Sequence, residues 1–205
     1  MANSLKVGPQ TGSDGQSTPF RGDKSGALVT HSVHGKYSES VLRGRCFVAS
    51  NVASQAISVG LTTTYTGLCV SNPAGSGKNM VMLGCQYGIY VAEAAIATWH
   101  LIGGYSSAGI VTHTAALAAP GILNAFVGSG SSSVAYADTQ ATTVNPYYLA
   151  VLRSGFTAGA LGGPGGGSWV DLDGMFVLPP GGWIGFGAPA AITGWGTFFW
   201  EEVAA

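Results

Sequence analysis

The chain has 205 residues, the length of one large β domain or of one domain with a tail. Only 8% of its residues are Asp, Glu, Lys or Arg, against roughly 25% in typical soluble domains. This composition excludes the dense basic face that binds nucleic acids. With so few charges the surface of a monomer would be largely neutral, which predicts burial of part of that surface in an oligomer. The alternative is a monomer that is kept soluble by Ser, Thr and Gly.

Residues 1–45 differ from the rest of the chain in charge and in pattern. They hold six basic and three acidic residues, a net charge of +3, whereas residues 46–205 hold two basic and six acidic residues, a net charge of −4. Because residues 1–40 show no period of 2 or 3.6, we predict an extended N-terminal arm over 1–45 and a β body over 46–205. We expect the arm to bind an acidic surface, the alternative being a solvated tail. The candidate contacts are the basic residues Arg21, Lys24, Lys36, Arg43 and Arg45.

The motifs of the arm are weak. Arg21-Gly22-Asp23 matches the integrin-binding tripeptide, which recurs by chance, and His31 and His34 have no neighbouring cluster of Cys or carboxylates. We therefore expect no metal and no other cofactor. The N-terminus lacks the apolar core of a signal peptide, and no apolar run reaches the roughly 18 residues that span a bilayer, so we expect no membrane partner.

The body begins with short strands between Arg45 and Leu61, and a longer pair of strands follows. Residues 61–70 are β-branched and aromatic, residues 71–78 are rich in turn formers, and residues 79–91 are almost continuously apolar. We predict that these three stretches form a central β-hairpin, around which the body is organised.

The turn of this hairpin resembles part of a phosphate-binding loop, because it contains Gly77-Lys78. Asn72 replaces the leading Gly of that motif, Asn79 replaces its Ser or Thr, and a strand pattern follows where a helix is required. We therefore interpret the loop as a structural turn rather than as a nucleotide site.

The chain contains three cysteines, Cys46, Cys69 and Cys85. An odd and low number argues against a disulfide-stapled secreted scaffold and favours assembly in a reducing compartment. A bridge between Cys69 and Cys85 is conceivable because they flank the hairpin, but small buried hydrophobic residues are the favoured interpretation.

The rest of the body sequence predicts more strands, which are separated by turns. We interpret residues 106–126 as a strand and a long loop, residues 155–167 as a glycine-rich loop, and Asp171-x-Asp173-Gly174 as a turn, since most ligands of a calcium loop are missing. Another turn is predicted at Pro179–Gly182, and four of the five Trp follow residue 168, which predicts much of the aromatic core there. The other predicted strands cover residues 91–102, 134–143, 145–153, 169–178, 183–186 and 196–203. About eight short strands are typical of a β-sandwich or jelly roll.

Three stretches, Leu68–Asn79, Leu172–Gly182 and Phe199–Val203, resemble structural proteins of tailed-bacteriophage virions. The similarity is closest to head-decoration (cement) proteins with β-sandwich bodies, and by motif it covers residues 60–90 and 170–203. The resemblance implies a homotrimer that binds the major capsid protein on the capsid surface after synthesis in the host cytoplasm, with the five basic residues of the arm as capsid contacts. It implies no catalytic residues.

A tail fibre or receptor-binding knob is the alternative function, in which exposed aromatic residues such as Tyr105, Tyr147 or Trp195 would stack on host sugars. A long fibre should show repeats or coiled-coil heptads, and the sequence contains neither, which favours the head over the tail. The sequence also lacks a Ser-His-Asp, paired-carboxylate or metal-ligand constellation, so we expect that the protein is not an enzyme.

Overall fold

The computed structural model describes residues 35–89, 98–110, 112–153 and 167–205. Residues 40–205 form one compact unit that is built almost entirely of β-strands, as predicted. One short helix, α1 (Ser38–Leu42), precedes the first strand. Residues 1–34, which make up most of the predicted arm, lie outside the described residues, and the boundary between arm and body at residues 45 and 46 stays a prediction.

Thirteen strands are present among the described residues, more than the eight or so that the turn signals predicted. They are β1 (Cys46–Ser50), β2 (Gln55–Ile57), β3 (Thr64–Ser71), β4 (Lys78–Ile89), β5 (Trp99–Tyr105), β6 (Thr112–Ala116), β7 (Ile122–Asn124), β8 (Tyr136–Thr142), β9 (Tyr147–Arg153), β10 (Gly167–Asp171), β11 (Val177–Leu178), β12 (Gly182–Gly187) and β13 (Ile192–Ala204). Residues 155–166 of the predicted glycine-rich loop and most of the strand predicted over 91–102 lie outside the described residues, and Gly167 is the first residue of β10.

The strands form two antiparallel sheets, which is the predicted sandwich architecture. The first sheet has seven strands in the order β10-β4-β13-β1-β7, with β11 paired to β4 and β2 paired to β13. The second has six strands in the order β6-β8-β3-β12-β5-β9. Four of the pairs are nested along the chain, because β1 pairs with β13, β3 with β12, β4 with β10, and β5 with β9.

Large aromatic side chains fill the core between the sheets. Tyr87 stacks on Trp99 with ring centroids 5.0 Å apart, and Phe186 stacks on Phe198 at 4.4 Å. Burial of each such side chain contributes about 2–3 kcal/mol to folding. The predicted aromatic core at the C-terminal end is only partly present, since Trp183 and Trp200 are buried whereas Trp169 and Trp195 are exposed.

The predicted hairpin is wrong, although both of its strands exist. β3 pairs with β8 and β12 in the six-stranded sheet, whereas β4 pairs with β10, β11 and β13 in the seven-stranded sheet. Residues 72–77 therefore cross from one sheet to the other. Leu68 and Val70 enter the core from one side and Met80 and Met82 from the other, so the two apolar runs face each other across the core.

Hydrogen bonds of Asn72 hold this crossing segment in place. Its side-chain nitrogen donates to the carbonyls of Lys78 and Leu178 at 2.7 and 2.9 Å, and its side-chain oxygen accepts from the Ser76 hydroxyl at 2.6 Å. Its backbone N–H donates to Gly182 and its carbonyl accepts from the Gly181 N–H, each at 2.8 Å. Asn72 is fully buried, so these bonds satisfy polar groups that water cannot reach.

The strand predicted over residues 169–178 is divided into β10 and β11 by a turn. Asp173 and Gly174 have left-handed φ values of 50° and 79°, and the N–H of Met175 donates to the carbonyl of Leu172 at 2.7 Å. The predicted turn at Asp171–Gly174 is therefore present, and it ends the strand earlier than the alternation indicated. The turn at Pro179–Gly182 is also present, closed by a bond from the Gly182 N–H to the Pro179 carbonyl at 2.8 Å.

The buried bonds of Asn72 lead to a stability prediction. Asn72→Ala removes the donor to two buried carbonyls and should lower the free energy of unfolding by about 2–4 kcal/mol. Ser76→Ala is the graded control, because it leaves both carbonyls satisfied but removes the hydroxyl that donates to the buried side-chain oxygen of Asn72, and it should cost about 1–2 kcal/mol. Guanidinium denaturation of both variants measures the difference, and equal stabilities would contradict this role of Asn72.

Candidate functional site

The outer face of the seven-stranded sheet presents a row of apolar side chains to solvent. Residues alternate between the two faces of β13, so Phe198 and Trp200 enter the core whereas Phe199 points outward. In the register of the sheet, Phe199 lies opposite Gly84 of β4 and Val48 of β1, and Val48 lies opposite Leu123 of β7. We call these residues, with Trp169 of β10, the apolar stripe: Trp169, Gly84, Phe199, Val48 and Leu123.

A glycine allows Trp169 to lie flat against this face. A Cβ at Gly84 would come within 2.6 Å of Cζ2 of the Trp169 indole, so no larger residue fits beneath the ring without moving it. The indole meets the Phe199 ring edge-on with centroids 5.0 Å apart. Trp169 remains 53% exposed and Leu123 48% exposed. Of the stripe, Trp169 and Leu123 are therefore exposed, Val48 and Phe199 are partly buried, and Gly84 is covered by the Trp169 indole.

The charge nearest to the stripe along β13 is neutralised within the compact unit. Glu201, two residues after Phe199, accepts from Nη2 of Arg45 at 3.0 Å and from the Ser40 hydroxyl at 2.8 Å. Arg45 also donates to the Ser40 hydroxyl at 3.3 Å. The pair is partly exposed, so its contribution to stability is small, but it leaves this end of the face without net charge.

The structure describes three of the five basic residues that were predicted as capsid contacts. Arg21 and Lys24 lie outside the described residues. Lys36 places its ammonium group 5.1 Å from the centre of the Tyr37 ring, Arg43 is exposed, and Arg45 forms the ion pair with Glu201. Binding of the arm to an acidic surface stays a prediction.

A shallow depression of about 300 Å³ lies beside the stripe. Its wall includes Ser50, Gln86, Gly88, Trp195 and Thr197, and the Thr197 hydroxyl donates to the Ser50 hydroxyl at 2.9 Å. Tyr87 also lines the depression, whose described lining offers hydroxyl and amide groups but no Asp, Glu, Lys, Arg or His side chain, so it suits water or a neutral polar ligand rather than an ion.

The three aromatic residues proposed for sugar stacking do not lie on one surface. Trp195 belongs to β13 of the seven-stranded sheet, whereas Tyr105 and Tyr147 belong to β5 and β9 of the six-stranded sheet. Tyr105 and Tyr147 are each about half exposed, on adjacent strands. These two tyrosines could form one platform, but Trp195 would belong to another.

A second depression, of about 420 Å³, is lined by the serine-rich residues 129–133 together with Phe47 and Tyr136. Buried Glu202 holds this loop in place. Its carboxylate accepts from the Ser133 hydroxyl at 2.5 Å and from the Val134 N–H at 3.0 Å. These contacts order the loop and give Glu202 a structural role.

An Asp–His pair connects β6 to β8. Nδ1 of His113 lies 2.7 Å from Oδ2 of the buried Asp138, and burial raises the pKa of Asp138 while the contact with His113 lowers it. Cys69 lies opposite Asp138 on β3, but burial and the charge of Asp138 both raise the pKa of its thiol well above the usual value. A thiol held in its protonated form is a poor nucleophile, so this arrangement is suited to packing rather than to covalent catalysis.

The other sequence motifs also receive a structural interpretation. The loop that contains Gly77-Lys78 continues into strand β4 and not into a helix, so it lacks the helix N-terminus of a phosphate-binding loop. Across residues 35–89, 98–110, 112–153 and 167–205, no three His, Cys, Asp or Glu side chains are grouped as metal ligands would be. In the same part of the chain, no helix has the length and apolarity to cross a bilayer.

Comparison with known protein families, curated proteins and solved structures gives no match to this chain.

The apolar stripe was not predicted from the sequence. The alternation of Phe198, Phe199 and Trp200 indicates that Phe199 points away from the other two, so part of the signal was available. The neighbours of Phe199 were not, because Val48 and Trp169 are far from it in sequence and the strand register alone brings them together.

The three cysteines are free and buried, which leads to a labelling prediction. Burial is the main cause that raises the pKa of Cys46 to about 11 and that of Cys85 to about 12, from a usual value of 9.0. Because only the thiolate reacts, a pKa higher by two units leaves Cys46 about 100-fold less reactive near pH 8. An aromatic disulfide reagent should label the native protein slowly and the guanidinium-unfolded protein at three thiols per chain. Rapid labelling of three native thiols would contradict the burial.

Proposed function

We propose that this protein is a structural protein of a tailed-bacteriophage virion, a cement or decoration protein that trimerises on the capsid surface and stabilises the head shell. The observation that supports assembly is the exposed apolar stripe on the outer face of the seven-stranded sheet. Contiguous apolar patches on the surface of a protein are one mark of a contact site for a partner. The resemblance of Leu68–Asn79 and Phe199–Val203 to virion proteins supplies the class of partner, the major capsid protein.

We infer a jelly-roll topology for the body. The support is the nesting of the pairs β1–β13, β3–β12, β4–β10 and β5–β9, which folds one long antiparallel ribbon into two facing sheets. Such a body presents two broad sheet faces. A cement protein needs surfaces of this kind, because its contribution is made by packing against neighbours.

The mechanism follows from mass action. A protein that binds the assembled shell and not its dissociated subunits stabilises the shell in proportion to the logarithm of its concentration over its dissociation constant. A trimer binds through several contacts at once, so weak individual contacts combine into durable decoration. The basic arm would add salt-sensitive contacts to an acidic capsid surface through Arg21, Lys24, Lys36, Arg43 and Arg45.

A receptor-binding knob on the tail is the second candidate. It is favoured by the half-exposed Tyr105 and Tyr147, which lie on adjacent strands and could stack on a sugar. Immunogold labelling of purified particles distinguishes the two candidates. Label over the head supports the cement function, and label confined to the tail tip supports the knob.

The charge of the arm leads to a binding prediction. Reversal of two charges in the full-length chain, Arg21→Glu with Lys24→Glu, should weaken binding to undecorated particles about tenfold at low salt, since each exposed contact contributes up to about 1 kcal/mol. The difference from the unmodified protein should shrink as salt is added. Cosedimentation with particles measures both effects.

Lys78→Glu is the matched control for this experiment, because Lys78 is a basic residue of the body at the start of β4. It should bind particles like the unmodified protein. Equal binding by the arm variant and the unmodified protein would show that the arm is a solvated tail, and the docking surface would then lie on the body.

A further inference from the structure

We propose that the depression beside the apolar stripe binds one neutral sugar residue of a glycan, with the indole of Trp195 as the stacking surface. This inference goes beyond the proposed function, because it concerns a ligand of the body and holds for a protein on the head or on the tail. A sugar ring has an apolar face of C–H groups and a rim of hydroxyl groups. A site for it therefore needs an aromatic surface beside neutral donors and acceptors, and the depression combines the two.

The polar side of the site is a row of three side chains that the strand register places next to one another. Ser50 of β1 lies opposite Thr197 of β13, and Thr197 lies opposite Gln86 of β4. We call these three residues the polar row. They line the depression on the outer face, since one neighbour of each along its strand is a core residue. Adjacent strands lie about 4.8 Å apart, so the row is about 10 Å long.

The polar row offers both donors and acceptors. The Thr197 hydroxyl donates to the Ser50 hydroxyl at 2.9 Å, and the Ser50 hydroxyl donates to the carbonyl of Gly196 at 3.3 Å. This chain of bonds directs both protons into the protein and leaves the Thr197 oxygen as an acceptor. Gln86 is exposed, and its amide can donate as well as accept. The row can therefore bind sugar hydroxyls, which are themselves donors and acceptors.

Trp195 borders the polar row. It lies two residues before Thr197 on β13, about 7 Å along the strand and on the same face. Its partner in the register is Gly88 of β4, which has no side chain to fill the space opposite the indole. Trp195 is 38% exposed. The indole and the row thus line one space of about 300 Å³, which is at the lower end of the range for small-molecule sites and suits a single sugar ring.

The chemistry of the lining favours a neutral sugar over other ligands. Among the described residues of the lining there is no Asp, Glu, Lys, Arg or His. The carboxylate of a sialic or uronic acid, or a phosphate group, would be recognised by a cation, which this lining does not supply. An apolar ligand would cover the Gln86 amide and the Thr197 hydroxyl without giving them partners.

The test is direct binding of sugars by the purified full-length protein. An array of neutral and sialylated glycans surveys the ligands, and saturation-transfer-difference NMR follows binding of methyl glucoside, methyl galactoside and N-acetylglucosamine. The unmodified protein should bind at least one neutral sugar at millimolar concentration or below. The C–H protons of one face of the ring should receive the most saturation, because that face lies on the indole.

Two variants assign the binding to the depression. Trp195→Ala removes the stacking surface and should weaken binding about tenfold or more, and Gln86→Ala removes an exposed amide and should weaken it about fivefold. Tyr136→Ala is the matched control, since it removes a 53% exposed aromatic side chain from the six-stranded sheet, and it should bind like the unmodified protein. Near-ultraviolet circular dichroism verifies the fold, and Gln86→Ala decides the matter if Trp195→Ala does not fold.

Three results overturn the proposal. The first is a protein that binds no neutral glycan on the array or in the NMR experiment, or that prefers the sialylated ones. The second is binding by Trp195→Ala and Gln86→Ala that equals binding by the control. The third is binding that Tyr147→Ala abolishes and Trp195→Ala retains, which would place the sugar on the tyrosine pair of the other sheet. None of these results depends on decoration of particles, so the cement function is tested separately.

Discussion

The sandwich depends on one constraint, that the chain must leave one sheet and enter the other without leaving buried backbone groups unpaired. Asn72 meets this constraint where β3 ends. Its side-chain nitrogen donates to the carbonyl of Lys78, at the end of the loop that Asn72 begins. The same nitrogen donates to the carbonyl of Leu178, the last residue of β11. A serine or an alanine could not donate to both carbonyls. The relative position of the two sheets, and so the whole core, is therefore tied to a buried amide at residue 72.

The period of two along β13 couples the core to the apolar stripe. Phe198 and Trp200 fill the space between the sheets, and the pleat then forces Phe199 to the other face. A polar residue at 199 would be the ordinary choice for a solvated sheet face. The strand instead has aromatic side chains on both faces over this stretch, which is the pattern of a strand with protein on both sides. On the outer face Phe199 packs edge-on against the Trp169 indole, so β13 makes aromatic contacts within the chain on both faces of the sheet.

The sequence was sufficient for the fold class and for most strands, because β-branched and apolar runs with glycine and proline turns are local signals. The turns at Asp173-Gly174 and Pro179–Gly182 were predictable for the same reason. Pairing was not predictable, since β3 and β4 have the composition of a hairpin and only the competition among all strands assigns them to different sheets. The candidate site could not be predicted either. It consists of residues brought together by register, and no spacing along the chain connects Val48 to Phe199 or Phe199 to Trp169.

The position of β13 has a consequence for the order in which the protein can form during synthesis. This strand, Ile192–Ala204, lies between β1 and β4 and also pairs with β2, so the seven-stranded sheet has no centre until residue 204 has left the ribosome. Until then the edges of β1 and β4 that pair with β13 stay without a partner strand. Contacts between residues that are so distant in sequence also form slowly. A chain that stops before residue 192 would have β1 and β4 but nothing to join them.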